Sequence, residues 1–423
     1  MGLETSSSNR LALSLSLLFI LMIYVGLTIT QFLAAKFSAM TTASSLRWAV
    51  RLDPFNADYG DRLGRLELLR QSPSSAFPFL RTATELDPHE ASYWLDRASA
   101  EQMLGDSQAQ LESLRHASAA NPHSGSLAWE LANRYISQGS PGDALREYRK
   151  VMESDPSLMP QAIQICWRVR PDIDSLLQNV IPANAYKPFL AILLSDHQTN
   201  AAAKLWERIV ALQQPVEKQF LFDYVRYLFA EHDTVQASHV WQQAASLAGL
   251  SGYQPTEQNL LVNGDFGLDV LNGGFDWIYQ KIPQVTLALD PIKGHSGSRS
   301  LRISFEGPGI SDAGIRQLVP VQPNTQYEFS GYYAAEDMEG AGGPKLAIAD
   351  FYTGINLFTS DGLRDTNFWS QIRGTFTTGA DAHLLVLHIV RVPAGSPIRG
   401  TLWVDNLKLV AVDHLASAEK VQP

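Results

Sequence analysis

Four prolines, Pro54, Pro88, Pro122 and Pro156, follow one another at intervals of 34 residues. The pairs before them match too: Leu52-Asp53, Leu86-Asp87, Ala120-Asn121 and Ser154-Asp155. No other feature constrains the fold as strongly. A fixed period of this length marks helix–turn–helix units, each of which buries its apolar face only by stacking on the next. Three whole units follow, at 57–90, 91–124 and 125–158, preceded by the second helix of an incomplete one.

Ahead of the ladder, residues 11–35 contain no charged side chain. At about 1.5 Å per residue this run exceeds a hydrocarbon core of about 30 Å. A cleaved signal peptide competes, with Ala34-Ala35 as a small-residue cleavage site. The apolar region of such peptides is usually only about 7–15 residues, so the length favours an uncleaved anchor. Arg10 lies on one flank and Lys36, Arg47 and Arg51 on the other, so flanking charge does not place the C-terminus outside.

The units resemble tetratricopeptide repeats, whose pattern sets small residues where paired helices approach and large ones in the groove between them. The third carries Leu131, Ala132, Tyr135, Gly139, Ala144 and Tyr148; the second Trp94, Ala98, Gly105, Leu114 and Ala117; the first Leu63, Gly64, Ala76, Leu80 and Ala83. Proline cannot continue the helix it follows. The resemblance implies a protein-binding concave face, placed here on Arg62, Arg65, Asp96, Ser99, Trp129 and Asn133. Of the Lys/Asn set with which some members clamp a terminal carboxylate, only Asn133 is present. Beyond Pro156 the period loosens, although Ala202 and Trp206 recur as Ala237 and Trp241. Two to three degenerate helix pairs are expected across 159–249, interrupted by Pro171, Pro182, Pro188 and Pro215.

From Ser251 the helical period disappears. Short alternating runs take its place at 300–305, 326–334, 345–352, 371–377, 384–390 and 401–410, separated by Gly, Pro, Asn and Asp. Such spacing predicts an antiparallel sandwich. The runs NLLVNGDF (259–266), GSRSLRI (297–303), QLVPVQPNTQYEFSG (317–331), GTFTT (374–378) and WVDNLKL (403–409), with Trp277, resemble carbohydrate-binding, galactose-binding-like jelly rolls. The resemblance implies a glycan site built from flat aromatics and a few polar groups: Trp277, Tyr279, Tyr332, Tyr352 and Trp369 with Asp350, His388 and Arg391. Alternation along 326–334 sends Tyr327, Phe329 and Tyr333 to one face and Tyr332 to the other. Phe376 and Trp403 are expected in the core. A structural calcium is implied at Asp265 and Asp405, with Gly267 standing where such modules often carry a glutamate; turn-forming aspartates are the simpler reading.

The expected fold is multidomain: a tail at 1–10, a single transmembrane helix at 11–35, an all-α tetratricopeptide-like solenoid at 36–250, a linker at 251–258, an all-β jelly-roll sandwich at 259–412 and a tail at 413–423. The net charge is -10. Residues 251–423 hold 12 basic and 18 acidic side chains, the rest 21 and 25. That balance argues against nucleic acid as a partner. The lone Cys166 forms no internal disulfide and reads as a small core residue. No histidine spacing suits zinc, and no nucleophile elbow, phosphate loop or dinucleotide fingerprint occurs. Glu336, Asp337 and Glu339, beside three glycines, read as a solvated loop.

The chain is therefore expected to be no enzyme, and to need no cofactor besides the implied calcium. It reads as a scaffold of the bacterial envelope with its bulk outside the cytoplasmic membrane. A protein partner such as a polysaccharide polymerase, ligase or export component would sit on the repeats, and polysaccharide on the sandwich. A purely structural adaptor is the alternative. A polysaccharide hydrolase or lyase needs two placed carboxylates, for which no convincing pair is visible.

Overall fold

The computed structural model describes residues 7–412 apart from Ser296 and Ser298. The expected tail at 413–423 and most of the one at 1–10 lie outside the described residues. α1 (Ser7–Ser38) runs through the whole apolar stretch, and the part from Leu11 is long and apolar enough to cross a membrane. Its last turns pack on α2 (Ala43–Leu52), which buries Ala34.

Then come α3 (Ala57–Leu69), α4 (Pro73–Leu86), α5 (Ala91–Leu104), α6 (Ser107–Ala120), α7 (Gly125–Ser137) and α8 (Pro141–Ser154), packed as successive pairs. The proline ladder ends every second helix. α2, α4, α6 and α8 all stop one residue before the Asp or Asn that precedes a ladder proline. Those residues, Asp53, Asp87, Asn121 and Asp155, have φ of -138°, -136°, -135° and -132°. A proline ring excludes the α-region for the residue before it, so the four stops share one cause. Between the paired helices Gly64 is needed: a Cβ there would lie 2.5 Å from the Leu80 side chain. Six further helices follow: α9 (Met159–Val169), α10 (Ile173–Asn179), α11 (Tyr186–Ser195), α12 (Thr199–Ala211), α13 (Lys218–Ala230) and α14 (Thr234–Ala244), with α9 packed on α10 and α11, and α13 on α14. Pro171, Pro182 and Pro215 fall between helices, and Pro188 sits in the first turn of α11.

By internal packing the chain divides between Leu205 and Trp206, inside α12. The last helix, α14, ends at Ala244, and α13 and α14 fall in the same compact unit as the sandwich. Phe275 stands edge-on to Phe229 and to Trp241, each at 5.4 Å between ring centroids. Trp241 also donates from its indole nitrogen to the Tyr253 carbonyl at 2.9 Å.

The sandwich has two antiparallel sheets. One orders β1 (Ile278–Tyr279), β4 (Asp312–Pro320), β9 (Leu384–Arg391), β6 (Pro344–Asp350) and β7 (Asn356–Thr359) as β1-β4-β9-β6-β7. The other orders β2 (Val285–Asp290), β3 (Ser300–Gly309), β10 (Pro397–Ala411), β5 (Gln326–Glu339) and β8 (Ser370–Thr377) as β2-β3-β10-β5-β8. Tyr327, Phe329, Phe376, Leu385 and Leu387 fill the space between them, with Tyr333 packed against this core.

Two expectations need correction. Trp403 is buried, but on the outer face of its sheet, because Leu402 and Val404 on either side of it point inward. The acidic run Glu336–Glu339 belongs to the end of β5 rather than to a loop, with Asp337 at φ 53°.

Candidate functional site

The outer face of the β2-β3-β10-β5-β8 sheet carries a row of aromatics. Tyr332 on β5 lies between Asp405 of β10 and Gln371 of β8, and Trp403 is one pair further along β10, opposite Ala334. Trp369 immediately precedes β8. The segment 291–295 folds back over this row. The Asp290 carboxylate starts the fold-back by accepting the amides of Ile292 (2.9 Å) and Lys293 (3.2 Å) and the Trp403 indole N–H (2.9 Å). These donors, the indole first, hold its pKa below the usual carboxylate range. The Lys293 ammonium then sits 3.7 Å above the Trp403 ring and pairs with Glu336. Next, the His295 amide donates to Asp405 at 2.7 Å, which sets the imidazole flat on Tyr332 at 3.7 Å and 5.6 Å from Trp369. Phe368, beside Trp369, is 85% exposed.

Of the eight residues expected at a glycan site, only Tyr332 and Trp369 belong to this cluster, each against the His295 ring. Trp277 is 1% exposed, stacked on Phe266 in the core, and its indole donates to the Asn263 carbonyl. It has no free face for a ligand. Arg391 is equally buried: its guanidinium donates to the carbonyls of Gly342, Gly343, Ser396 and Pro397 at 2.8–3.3 Å. Asp350 is buried and closes a turn by accepting the amides of Tyr352 and Thr353. The Tyr352 ring lies 4.0 Å from that of His232, and its hydroxyl donates to the Phe229 carbonyl, so this side chain docks the turn on α13. His388 faces outward from the other sheet and bonds Asp312 at 2.7 Å. Tyr279 is exposed at the opposite edge of the sandwich, over an apolar cleft of about 470 Å3 lined by Val285, Leu287 and Leu289. Sequence reasoning missed His295, Lys293 and Phe368. The outward face of Tyr332 was readable from alternation, but the return of 291–295 was not.

Asp265 and Asp405, the implied calcium ligands, each accept backbone amides. Asp405 accepts the amides of His295 and Asn406, and Asp265 accepts that of Gly267. Among the described residues, no three His, Cys, Asp or Glu side chains converge to hold a metal. A hard cation needs several convergent oxygens.

On the solenoid, the expected partner-binding residues fall into two groups. Arg65 pairs with Asp61 at 3.2 Å and reaches Asp96 at 3.7 Å, while Arg62 pairs with Asp58 at 2.9 Å. Further along, Asn133 accepts the Tyr148 hydroxyl at 2.7 Å, and Trp129 stands edge-on to the same ring. Ser99 bonds back to Leu95 of its own helix.

Asp61 was not foreseen. It is 2% exposed, and burial together with the neighbouring Asp96 carboxyl pushes its pKa up to about 7, against the pull of Arg65. Its folded pKa lies above the unfolded value. The stability it contributes is therefore fully present below about pH 4 and lost as pH rises through about 7. Asp61→Asn keeps a hydrogen-bonding group without that ionisation. The variant is expected to be more stable at pH 8 by on the order of 1–3 kcal/mol, and to flatten the decline between pH 4 and 7, read by thermal unfolding across pH.

No family pattern matches the chain, and no curated protein does. Among solved structures, it is similar to "Crystal structure of MamA" at 22% identity over 37% of this chain and 88% of that one, with a TM-score of 0.30. It is similar to "CBM4 structure and function" at 17% identity over 36% and 99%, TM-score 0.28. A further likeness is to the CBM22-1 xylan-binding domain from Paenibacillus barcinonensis Xyn10C, at 16% over 35% and 92%, TM-score 0.25.

Proposed function

We propose that this chain is a non-enzymatic scaffold, anchored by α1 in the cytoplasmic membrane of a bacterium with its bulk outside. In this reading the helix pairs hold a protein partner and the sandwich binds polysaccharide in exopolysaccharide or surface-glycan assembly. The Tyr332–His295–Trp369 ring cluster carries the glycan part of the reading. Sugar rings present C–H faces to flat aromatics, and here two aromatics and an imidazole meet on an outer sheet face, with the exposed Gln371 opposite Tyr332 for hydroxyls. The Arg65–Asp96 group is the corresponding place for a protein partner, in the class of a polysaccharide polymerase, ligase or export component.

A glycan array and affinity electrophoresis on the full chain test the sugar-binding part. Tyr332→Ala/Trp369→Ala is expected to weaken retention by about 10-fold or more, as truncation of paired aromatic anchors does. Retention equal to that of the unaltered chain sinks the assignment. One observation favours a second reading, a structural adaptor without glycan. His295 already covers the Tyr332 face that a sugar would use. Absence of binding to any polysaccharide, with co-purification of a membrane protein, decides for the adaptor. A reporter fused after Gln422 tests orientation, and a cytosolic reporter active there overturns the envelope setting.

A further inference from the structure

α2 carries apolar surface that the solenoid leaves open. Trp48 is 52% exposed, Phe55 just beyond the helix 83% and Met40 just before it 49%. Ser44, Arg47, Trp48 and Arg51 recur at spacings of three and four, so they form one stripe, and all are exposed. The opposite side of the helix, Ala43, Leu46 and Ala49, is buried. The Arg51 guanidinium lies 5.4 Å from the centre of the Trp48 ring. From Lys36 to Phe55 the charged residues are Lys36, Arg47, Arg51 and Asp53, three basic against one acidic. Arg47 reaches across to Glu67 at 2.9 Å, while Lys36 and Arg51 are exposed.

The position of this stripe decides its partner. Only four residues separate the end of α1 from the start of α2, and the two helices pack together. If α1 spans a bilayer, α2 emerges at the headgroup level. Indole rings concentrate there because they are apolar with one polar edge, and cationic side chains extend from apolar stems toward phosphates. A segment combining exposed Trp, Phe and Met with an excess of Lys and Arg matches that layer in both polarity and charge.

We infer that the exposed stripe of α2, flanked by Met40 and Phe55, rests on the bilayer surface. Its rings lie at the boundary of acyl chains and headgroups, and Lys36 and Arg51 lie against anionic phospholipid headgroups. This rests on the reading of α1 as an uncleaved span. The contact holds the first helix pair at the membrane by two elements rather than one.

The test uses the full chain in nanodiscs of phosphatidylcholine, with or without phosphatidylglycerol, and lipids carrying a nitroxide on the acyl chain. Single cysteines at Ser44→Cys, Phe55→Cys, Leu21→Cys and Met103→Cys take an environment-sensitive fluorophore; Cys166 is fully buried, and the unaltered chain controls for it. The labels at 21, 44 and 55 are expected to be blue-shifted and quenched, and the one at 103 unaffected. Lys36→Glu/Arg51→Glu is expected to remove the added quenching that phosphatidylglycerol gives at 44. Quenching at 21 with 44 and 55 behaving like 103 overturns the inference and leaves the anchor standing. A label at 21 untouched by lipid overturns the anchor itself and the inference with it. Blue shifts at 44 and 55 without lipid quenching identify a protein-facing surface and overturn it too.

Discussion

Arg391→Met is expected to lower the stability of the sandwich by about 3–5 kcal/mol. The physical reason lies in what the guanidinium holds. It donates to four backbone carbonyls, those of Gly342, Gly343, Ser396 and Pro397, from a side chain that is 1% exposed. Methionine fills most of the volume but donates nothing. Each buried carbonyl left without a donor costs about 1–3 kcal/mol, and partial access to water at the loops recovers some of the sum. Arg391→Lys is expected to lose roughly half as much, because a compact ammonium does not reproduce the planar fork. Hydrogen-exchange protection of β9 and β10 peptides reads the effect locally, which matters in a chain of two compact units with no single unfolding free energy. Protection unchanged in the methionine variant would remove Arg391 from its place as the pin between β6, β9 and β10.

The second large effect is expected at the contact between α13–α14 and the sandwich. Trp241 is fully buried, edge-on to Phe275 and stacked near Phe222 at 6.1 Å. Trp241→Ala is expected to cost about 3–5 kcal/mol, the usual range for removing a large buried ring. Gly274→Ala attacks the same contact from the other side. Gly274 has φ +64°, and a Cβ there would lie 2.1 Å from the Trp241 ring. The double variant is expected to lose clearly less than the sum of the two, since both act on one contact. Limited proteolysis after Lys218 and Arg226 gives the readout, with faster cleavage in every variant. Unchanged cleavage in Trp241→Ala would mean that the helix pair is held by something other than this aromatic cluster.

These two positions also mark the limit of sequence reading. Arg391 occupies an inward position of β9, between Ile389 and the turn, where alternation alone calls for an apolar residue. Its polarity therefore read as a ligand-binding feature. Only the return of the Gly342–Gly343 and Ser396–Pro397 backbones to one spot shows why a cation is needed there. Trp277 and Tyr352 are similar cases. Both are aromatic in a module that resembles sugar binders, yet one is sealed in the core and the other docks a turn on α13. Residue type gives chemistry, and burial decides whether that chemistry is available.

Local rules settled much of the rest. A 34-residue period, proline stops and small residues at helix crossings are constraints between near neighbours, so they determined the paired helices and their ends without any structure. Strand alternation likewise placed Tyr327, Phe329 and Tyr333 inside and Tyr332 outside. The approach of residues far apart in sequence was decided by tertiary structure alone. That is how His295 comes to lie on Tyr332, Lys293 on Trp403, Asp61 beside Asp96, and the α13–α14 pair against Phe275. Such contacts depend on loop paths and on which faces remain unburied after packing, and no short-range pattern encodes either.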